Sequence, residues 1–182
     1  MRKNKIIEAI EKSKVGIKQY VEIMSLFHEV DVSTDKSFQR KFNSFYRIRQ
    51  RSAEWYETYY NYMETHKSKS LDFKDALRYF NMHLSRYEPS FSSKLVATIN
   101  PNMPVWDQFV LKNIGLKPPA YTSVDKFELA IKTYDQINEW YELFMASEEA
   151  FSIIETFKLI VSEHEKITDL KKVDFVLWQL RD

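Results

Sequence analysis

Three features of this chain predict an all-α protein. Apolar residues recur at about 3.6-residue spacing through nearly every long segment. No segment alternates with the period of two expected of a half-buried strand. Glycine is scarce, at 2 of 182 residues. That leaves few positions for the tight turns of an all-β fold or for a glycine-rich phosphate loop.

About eight helices follow from the periodic segments. The first covers residues 3 to 29, where Ile6, Ile7, Ile10, Ile17, Val21, Met24 and Leu26 form an apolar stripe. Gly16 costs about 1 kcal/mol relative to Ala in a helix interior and marks the expected place of a break or kink. The segment Asp31 to Asp35 is a link rich in capping residues. The second helix covers residues 36 to 65, with Phe38, Phe42, Phe45, Tyr56, Tyr59, Tyr60 and Met63 on one face. The third covers 72 to 84 and carries Phe73, Ala76, Leu77 and Phe80. Pro89 interrupts the pattern, and the fourth helix covers 92 to 99. The fifth covers 105 to 114, stopped by Gly115 and by Pro118-Pro119. The sixth covers 124 to 145 with Thr122 or Ser123 as its cap, the seventh 148 to 161, and the eighth 169 to 180. The length fits a single all-α domain over residues 1–182, or two small lobes with a cleft near residues 88–115.

Composition narrows the function classes. Net charge is +1, so no global field marks a nucleic-acid binder and any basic site is a local patch. The absence of cysteine excludes disulfides, cysteine-zinc sites and thiol catalysis, and fits a reducing compartment. The basic start Met1-Arg2-Lys3-Asn4-Lys5 is soon interrupted by Glu8 and Glu11, unlike a signal peptide. No run approaches the roughly 18 apolar residues of a membrane span. A soluble cytoplasmic protein without membrane contact is expected. His28, His66, His83 and His164 are scattered, so neither a metal site nor a cofactor is expected.

The segment Ser92-Ser93-Lys94-Leu95-Val96-Ala97-Thr98-Ile99-Asn100-Pro101-Asn102-Met103-Pro104-Val105-Trp106-Asp107 holds the strongest candidate chemistry. A lysine lies in one short apolar helix, an aspartate opens the next, and a proline-braced turn joins them. Asp107 reads either as a helix cap or as a carboxylate held to activate water or steady a developing cation. Lys94 reads either as a solvated side chain lying along apolar surface or as a desolvated amine nucleophile. Lys36, Arg40, Arg47 and Arg51 align on one face of the expected second helix. They form either a track for a phosphate backbone or an ordinary solvated face. Arg49 falls on the apolar side and is expected to be a buried charge, paired with Asp107 or Asp174 or reaching a ligand. The aromatic run Trp55 to Tyr62 reads as core packing, with a base-stacking platform as the other reading. Trp140, Tyr141 and Trp178 read as core.

The elements Ser93-Lys94 and Pro104-Val105-Trp106-Asp107 resemble those of the helix-hairpin-helix DNA glycosylase superfamily, especially distant 8-oxoguanine DNA glycosylase-like bacterial proteins. Asp169-Leu170-Lys171-Lys172-Val173-Asp174-Phe175-Val176-Leu177-Trp178 also resembles a closing helix of such proteins. The resemblance implies an orthogonal helical bundle with DNA as partner. It implies that Lys94 attacks the anomeric carbon and forms a Schiff base, and that Asp107 stabilises an oxocarbenium-like sugar or activates the nucleophile. The target base would be flipped into a pocket, with Phe91 and Trp106 as stacking candidates. Ser90, Ser92 and Ser93 would offer hydroxyls and helix N-terminal amides to a phosphate where the family has a glycine-rich hairpin. The function implied is DNA binding with base-excision N-glycosylase/lyase chemistry. The other reading is a non-catalytic helical binding or assembly module that keeps only the fold.

Overall fold

A computed structural model describes residues 3–180; Met1, Arg2, Arg181 and Asp182 lie outside the described residues. Helix accounts for 71% of the structure, with no strand among the described residues. The elements are α1 (Lys3–Glu29), α2 (Lys36–Phe45), α3 (Ala53–His66), α4 (Phe73–Leu84), α5 (Pro89–Ile99), α6 (Gln108–Asn113), α7 (Lys126–Met145), α8 (Glu148–Ile160) and α9 (Asp169–Gln179), with a 3₁₀ turn at His164–Lys166. No described helix is long and apolar enough to cross a membrane.

Most elements fall where the periodicity puts them, and four details differ. The helix α1 runs through Gly16 without a break, because buried Ile17 and Tyr20 anchor the turn that follows. Pro89 starts α5 instead of ending the preceding pattern: it occupies the first turn, where a missing N–H costs nothing. The residue preceding α7 is Asp125, without a side-chain capping bond, in place of Thr122 or Ser123. The expected second helix is two helices, α2 and α3, separated by residues 46–52.

The chain divides into two compact units: residues 15–100, and residues 3–14 together with 101–180. The first of these, the central unit in sequence, is built on an aromatic core. Phe38, Phe42, Tyr59, Tyr60 and Phe80 are fully buried. The Phe42 ring lies 4.7 Å from Tyr46, 5.6 Å from Phe38 and 5.9 Å from Tyr60. Tyr59 stacks on Trp55 at 4.8 Å and on Phe80 at 5.4 Å. The buried phenols keep acceptors: Tyr60 donates to Asn43 Oδ1 at 2.7 Å, and Tyr59 to the Phe91 carbonyl at 3.1 Å. Together these contacts tie α2, α3, α4 and α5 into one core.

The terminal unit packs α6 and α8 against α9, and α7 against α8. Ile153, Phe157, Val173 and Val176 are buried in it. Its core also contains charge. The Lys171 ammonium lies 2.6 Å from Asp174 Oδ2, and the Tyr141 hydroxyl donates to Asp174 Oδ1 at 2.9 Å. All three residues are buried. Burial pushes the Tyr141 phenol well above its ordinary range, and the adjacent Asp174 carboxylate pushes it further. The connection before α6 is fixed by Tyr134, whose hydroxyl donates to the Pro104 carbonyl at 2.9 Å, and by Thr168, which donates to the Pro101 carbonyl at 2.8 Å.

Candidate functional site

The site begins with the way α2 ends. Tyr46 is the C-cap, and Arg47 follows in the left-handed region at φ 55°. The Ile48 N–H donates to the Asn43 carbonyl at 2.9 Å, and the Arg47 N–H donates to the Ser44 carbonyl at 3.4 Å. This is the Schellman pattern of bonds, with arginine in the position usually held by glycine. Ile48 is buried and supplies the apolar contact that goes with this stop. Gln50 is again left-handed at φ 56°, and Ser52 caps α3 by accepting from the Trp55 N–H at 3.1 Å. The chain therefore reverses with Ile48 inward and with Arg47 and Arg49 outward.

This loop corrects two expectations. Arg49 is exposed, not a buried charge, because it lies on the loop and not on the aromatic face of a continuous helix. Asp174, one partner expected for it, is paired with Lys171. The row Lys36, Arg40, Arg47, Arg51 is not one helical face either. Lys36 and Arg40 share α2 and are exposed, whereas Arg47 and Arg51 belong to the loop.

The start of α5 supplies the second half of the site. Glu88 stands at its N-cap position but makes no capping bond. Its carboxylate turns to Arg51, with Oε2 3.5 Å from Nη2, and the residue is buried. Burial raises the Glu88 carboxyl above its ordinary range; the charges of Arg51, Arg86 and Lys94 and the Trp55 indole N–H act in the opposite direction. One turn on, the Phe91 ring carries a cation at two positions: Arg51 Cζ lies 5.0 Å from its centroid and Lys94 Nζ 4.8 Å. Arg51 also lies 5.6 Å from the Trp55 ring centroid. These are cation–π distances. The half-buried Lys94 donates to the Tyr46 carbonyl at 3.4 Å, which ties α5 to the end of α2.

Beside this cluster is a cleft of about 130 Å³, lined by Gln50, Arg51, Ser52, Glu54, Trp55, Leu84 and Arg86. Ser85, next to Arg86, is also left-handed at φ 50°. The three non-glycine left-handed residues among the described ones, Arg47, Gln50 and Ser85, thus belong to the two segments that frame the cleft. Backbone held in sparsely populated conformations concentrates at functional sites, where surrounding packing maintains it.

Other residues named from sequence have structural partners. Asp107 is the N-cap of α6 and accepts from the Phe109 N–H at 2.8 Å. It belongs to the terminal unit and Lys94 to the central one. Asp107→Ala is expected to lower stability by about 1 kcal/mol and Asp107→Asn to leave it nearly unchanged, as urea unfolding would measure, because asparagine caps equally well. Equal losses in the two variants would assign the carboxylate's charge, and not its cap, the larger part. Ser92 and Ser93 are buried, and their hydroxyls donate to the Glu88 and Ser90 carbonyls, each at 2.9 Å. They are therefore turned into their own helix and do not present hydroxyls to a phosphate. Ser90 is half-buried in the first turn. Trp106 is buried, whereas Phe91 is half-buried, so of the two proposed stacking residues Phe91 is the more accessible. Trp140 and Trp178 are half-buried, and Tyr141 is core.

The sequence reading missed Arg86 and the role of Glu88. One usable signal was Ser52-Ala53-Glu54, a helix start placed in the middle of the supposed second helix. No group of three or more metal-ligating His, Asp or Glu residues occurs among the described residues. No family model, curated protein or solved structure matches the chain.

Proposed function

We propose that the chain binds nucleic acid through the central unit, using the loop between α2 and α3 and the start of α5. One observation carries this reading. Arg51 and Lys94 both lie on the partly accessible Phe91 ring, and Arg51 shares its cleft with Arg86, while Arg47 and Arg49 extend from the same loop into solvent. Cations beside an accessible aromatic ring suit a phosphate backbone with a base stacked nearby. The resemblance in Ser93-Lys94 and Pro104-Val105-Trp106-Asp107 favours DNA as the nucleic acid.

The test is binding of fluorescent single-stranded, duplex and abasic-site DNA across a salt series. With about four phosphates neutralised, log K for duplex is expected to fall with log salt at a slope of roughly −4. Replacing Arg47 or Arg49 by Gln is expected to reduce that slope by about 1 each. Absence of binding at low salt would overturn the reading. Borohydride trapping on abasic DNA tests the glycosylase chemistry, in which Lys94 forms the Schiff base. Equal trapping by Lys94→Gln would remove Lys94 from that role. A second reading, binding without base excision, is favoured by Asp107, whose carboxylate serves as a helix cap.

A further inference from the structure

We propose that the cleft between Gln50 and Arg86 is a pocket for one phosphate group, and that Glu88 is an internal anion holding Arg51 in place until the phosphate arrives. The inference rests on the nucleic-acid reading only for the source of the phosphate.

Two buried donors beside the cleft have no acceptor. Arg51 Nε is buried and makes no hydrogen bond. Trp55 is 2% exposed and lines the cleft, and its indole N–H is likewise buried without a hydrogen bond. Buried donors are rarely left this way, because each forfeits the water it had in the unfolded chain. Glu88 is the nearby acceptor, yet it meets Arg51 only at 3.5 Å, and the Trp55 N–H approaches it without reaching hydrogen-bond geometry. As placed, the Glu88 carboxylate leaves two buried donors of the cluster, Arg51 Nε and the Trp55 indole N–H, unbonded.

Donors outnumber acceptors on the lining of the cleft. Around it stand Arg51, the exposed Arg86 and the Gln50 amide. The Ser52 hydroxyl oxygen already accepts from the backbone N–H of Trp55, which leaves its proton to donate. Ser52 is the N-cap of the 14-residue α3, and Glu54 and Trp55 lie in its first turn, so the helix dipole favours an anion there. Glu54 is the one opposing charge on the rim, and it is exposed. The volume of about 130 Å³ is well above the roughly 10–15 Å³ that one water needs, which leaves room for a tetrahedral oxyanion. A phosphate oxygen meeting Arg51 would compete with Glu88 for it, against the repulsion of the Glu88 carboxylate, which Glu88→Gln would remove.

The test uses the full chain in calorimetric titrations. Wild type is expected to bind inorganic phosphate saturably. Arg86→Gln, at an exposed position, is expected to weaken binding about tenfold, the loss of one charge-assisted contact. Glu88→Gln is expected to tighten it severalfold by freeing Arg51. No saturable binding of phosphate, or Arg86→Gln and Glu88→Gln both titrating like wild type, would overturn the pocket. An oligonucleotide with a 5′-phosphate and the same strand with a 5′-hydroxyl then separate the sources. Competition with inorganic phosphate by the phosphorylated strand alone assigns a terminal phosphate, and equal competition by both assigns backbone diesters; either supports the pocket. Strand binding that phosphate does not displace and Arg86→Gln does not change overturns the pocket while leaving the nucleic-acid reading standing. Phosphate binding without any strand binding keeps the pocket and overturns that reading.

Discussion

Asp174→Ala is expected to destabilise the protein by about 3–5 kcal/mol, among the largest effects of any single substitution in the terminal unit. The carboxylate receives the Lys171 ammonium at 2.6 Å on one oxygen and the Tyr141 hydroxyl at 2.9 Å on the other. Removing it takes the Asp174 charge away from a buried ammonium and the acceptor away from a buried phenol. The pair itself is a different matter. Two charges taken out of water lose hydration that their mutual attraction only partly returns. The double variant Lys171→Met, Asp174→Leu is therefore expected to be more stable than Asp174→Ala, despite having lost the whole ion pair. Tyr141→Phe is expected to cost about 1 kcal/mol, the net value of an ordinary hydrogen bond. Urea unfolding at pH 7 measures all three, with unchanged slopes marking a change in stability alone. A loss below about 1 kcal/mol in Asp174→Ala would mean that water or another protein group holds the Lys171 ammonium in its place.

The same residues show what could be read in advance. Helical spacing places most elements because burial of one stripe decides where a helix packs, and stripes are visible in a sequence. Gly115 was a legible stop: it is left-handed at φ 77°, with the bonds Gly115 to Lys112 and Leu116 to Leu111 closing α6. The end of α2 has the same bond pattern with Arg47 in the glycine's place, so the usual marker was missing. Packing of Tyr46 and Ile48 maintains a conformation that arginine alone disfavours. Arg49 was misplaced as a direct consequence, since a helical phase carried across a break assigns every later residue to the wrong face. The partner of Asp174 was hidden for another reason. Lys171 lies three residues before it on α9, and local spacing does not say which such pairs are buried.

Lys94 illustrates the limit at the candidate site. Its place in an apolar helix was legible, and so was the proximity of Phe91 in sequence. That Arg51 approaches the same ring from a different element depends on the reversal at residues 46–52, and hence on packing far along the chain. The cleft is thus a property of the central unit's core. Its cations come from the loop between α2 and α3 and from the segment before α5, Lys94 of α5 meets Arg51 beside it on the Phe91 ring, and only the aromatic core brings them together.

Phe42→Ala is for this reason expected to remove both stability and binding. Phe42 is fully buried, with rings of Phe38, Tyr46, Tyr59 and Tyr60 all within 6.1 Å of its own. Truncating a buried phenylalanine costs about 3–5 kcal/mol, through lost burial and the cavity left behind. Ordinary domains have only about 5–15 kcal/mol in total. Tyr46 would lose its support at 4.7 Å, and its carbonyl is the acceptor that Lys94 reaches across from α5. Phe42→Leu is expected to cost less, because it keeps much of the volume. Urea unfolding ranks the stabilities, and titration with DNA at low salt ranks the affinities. Affinity falling in the order wild type, Phe42→Leu, Phe42→Ala, with every cation still in the sequence, would show that the core positions the basic cluster. Unchanged affinity in a destabilised but folded Phe42→Ala would show instead that charge alone, without the geometry of the cleft, accounts for binding.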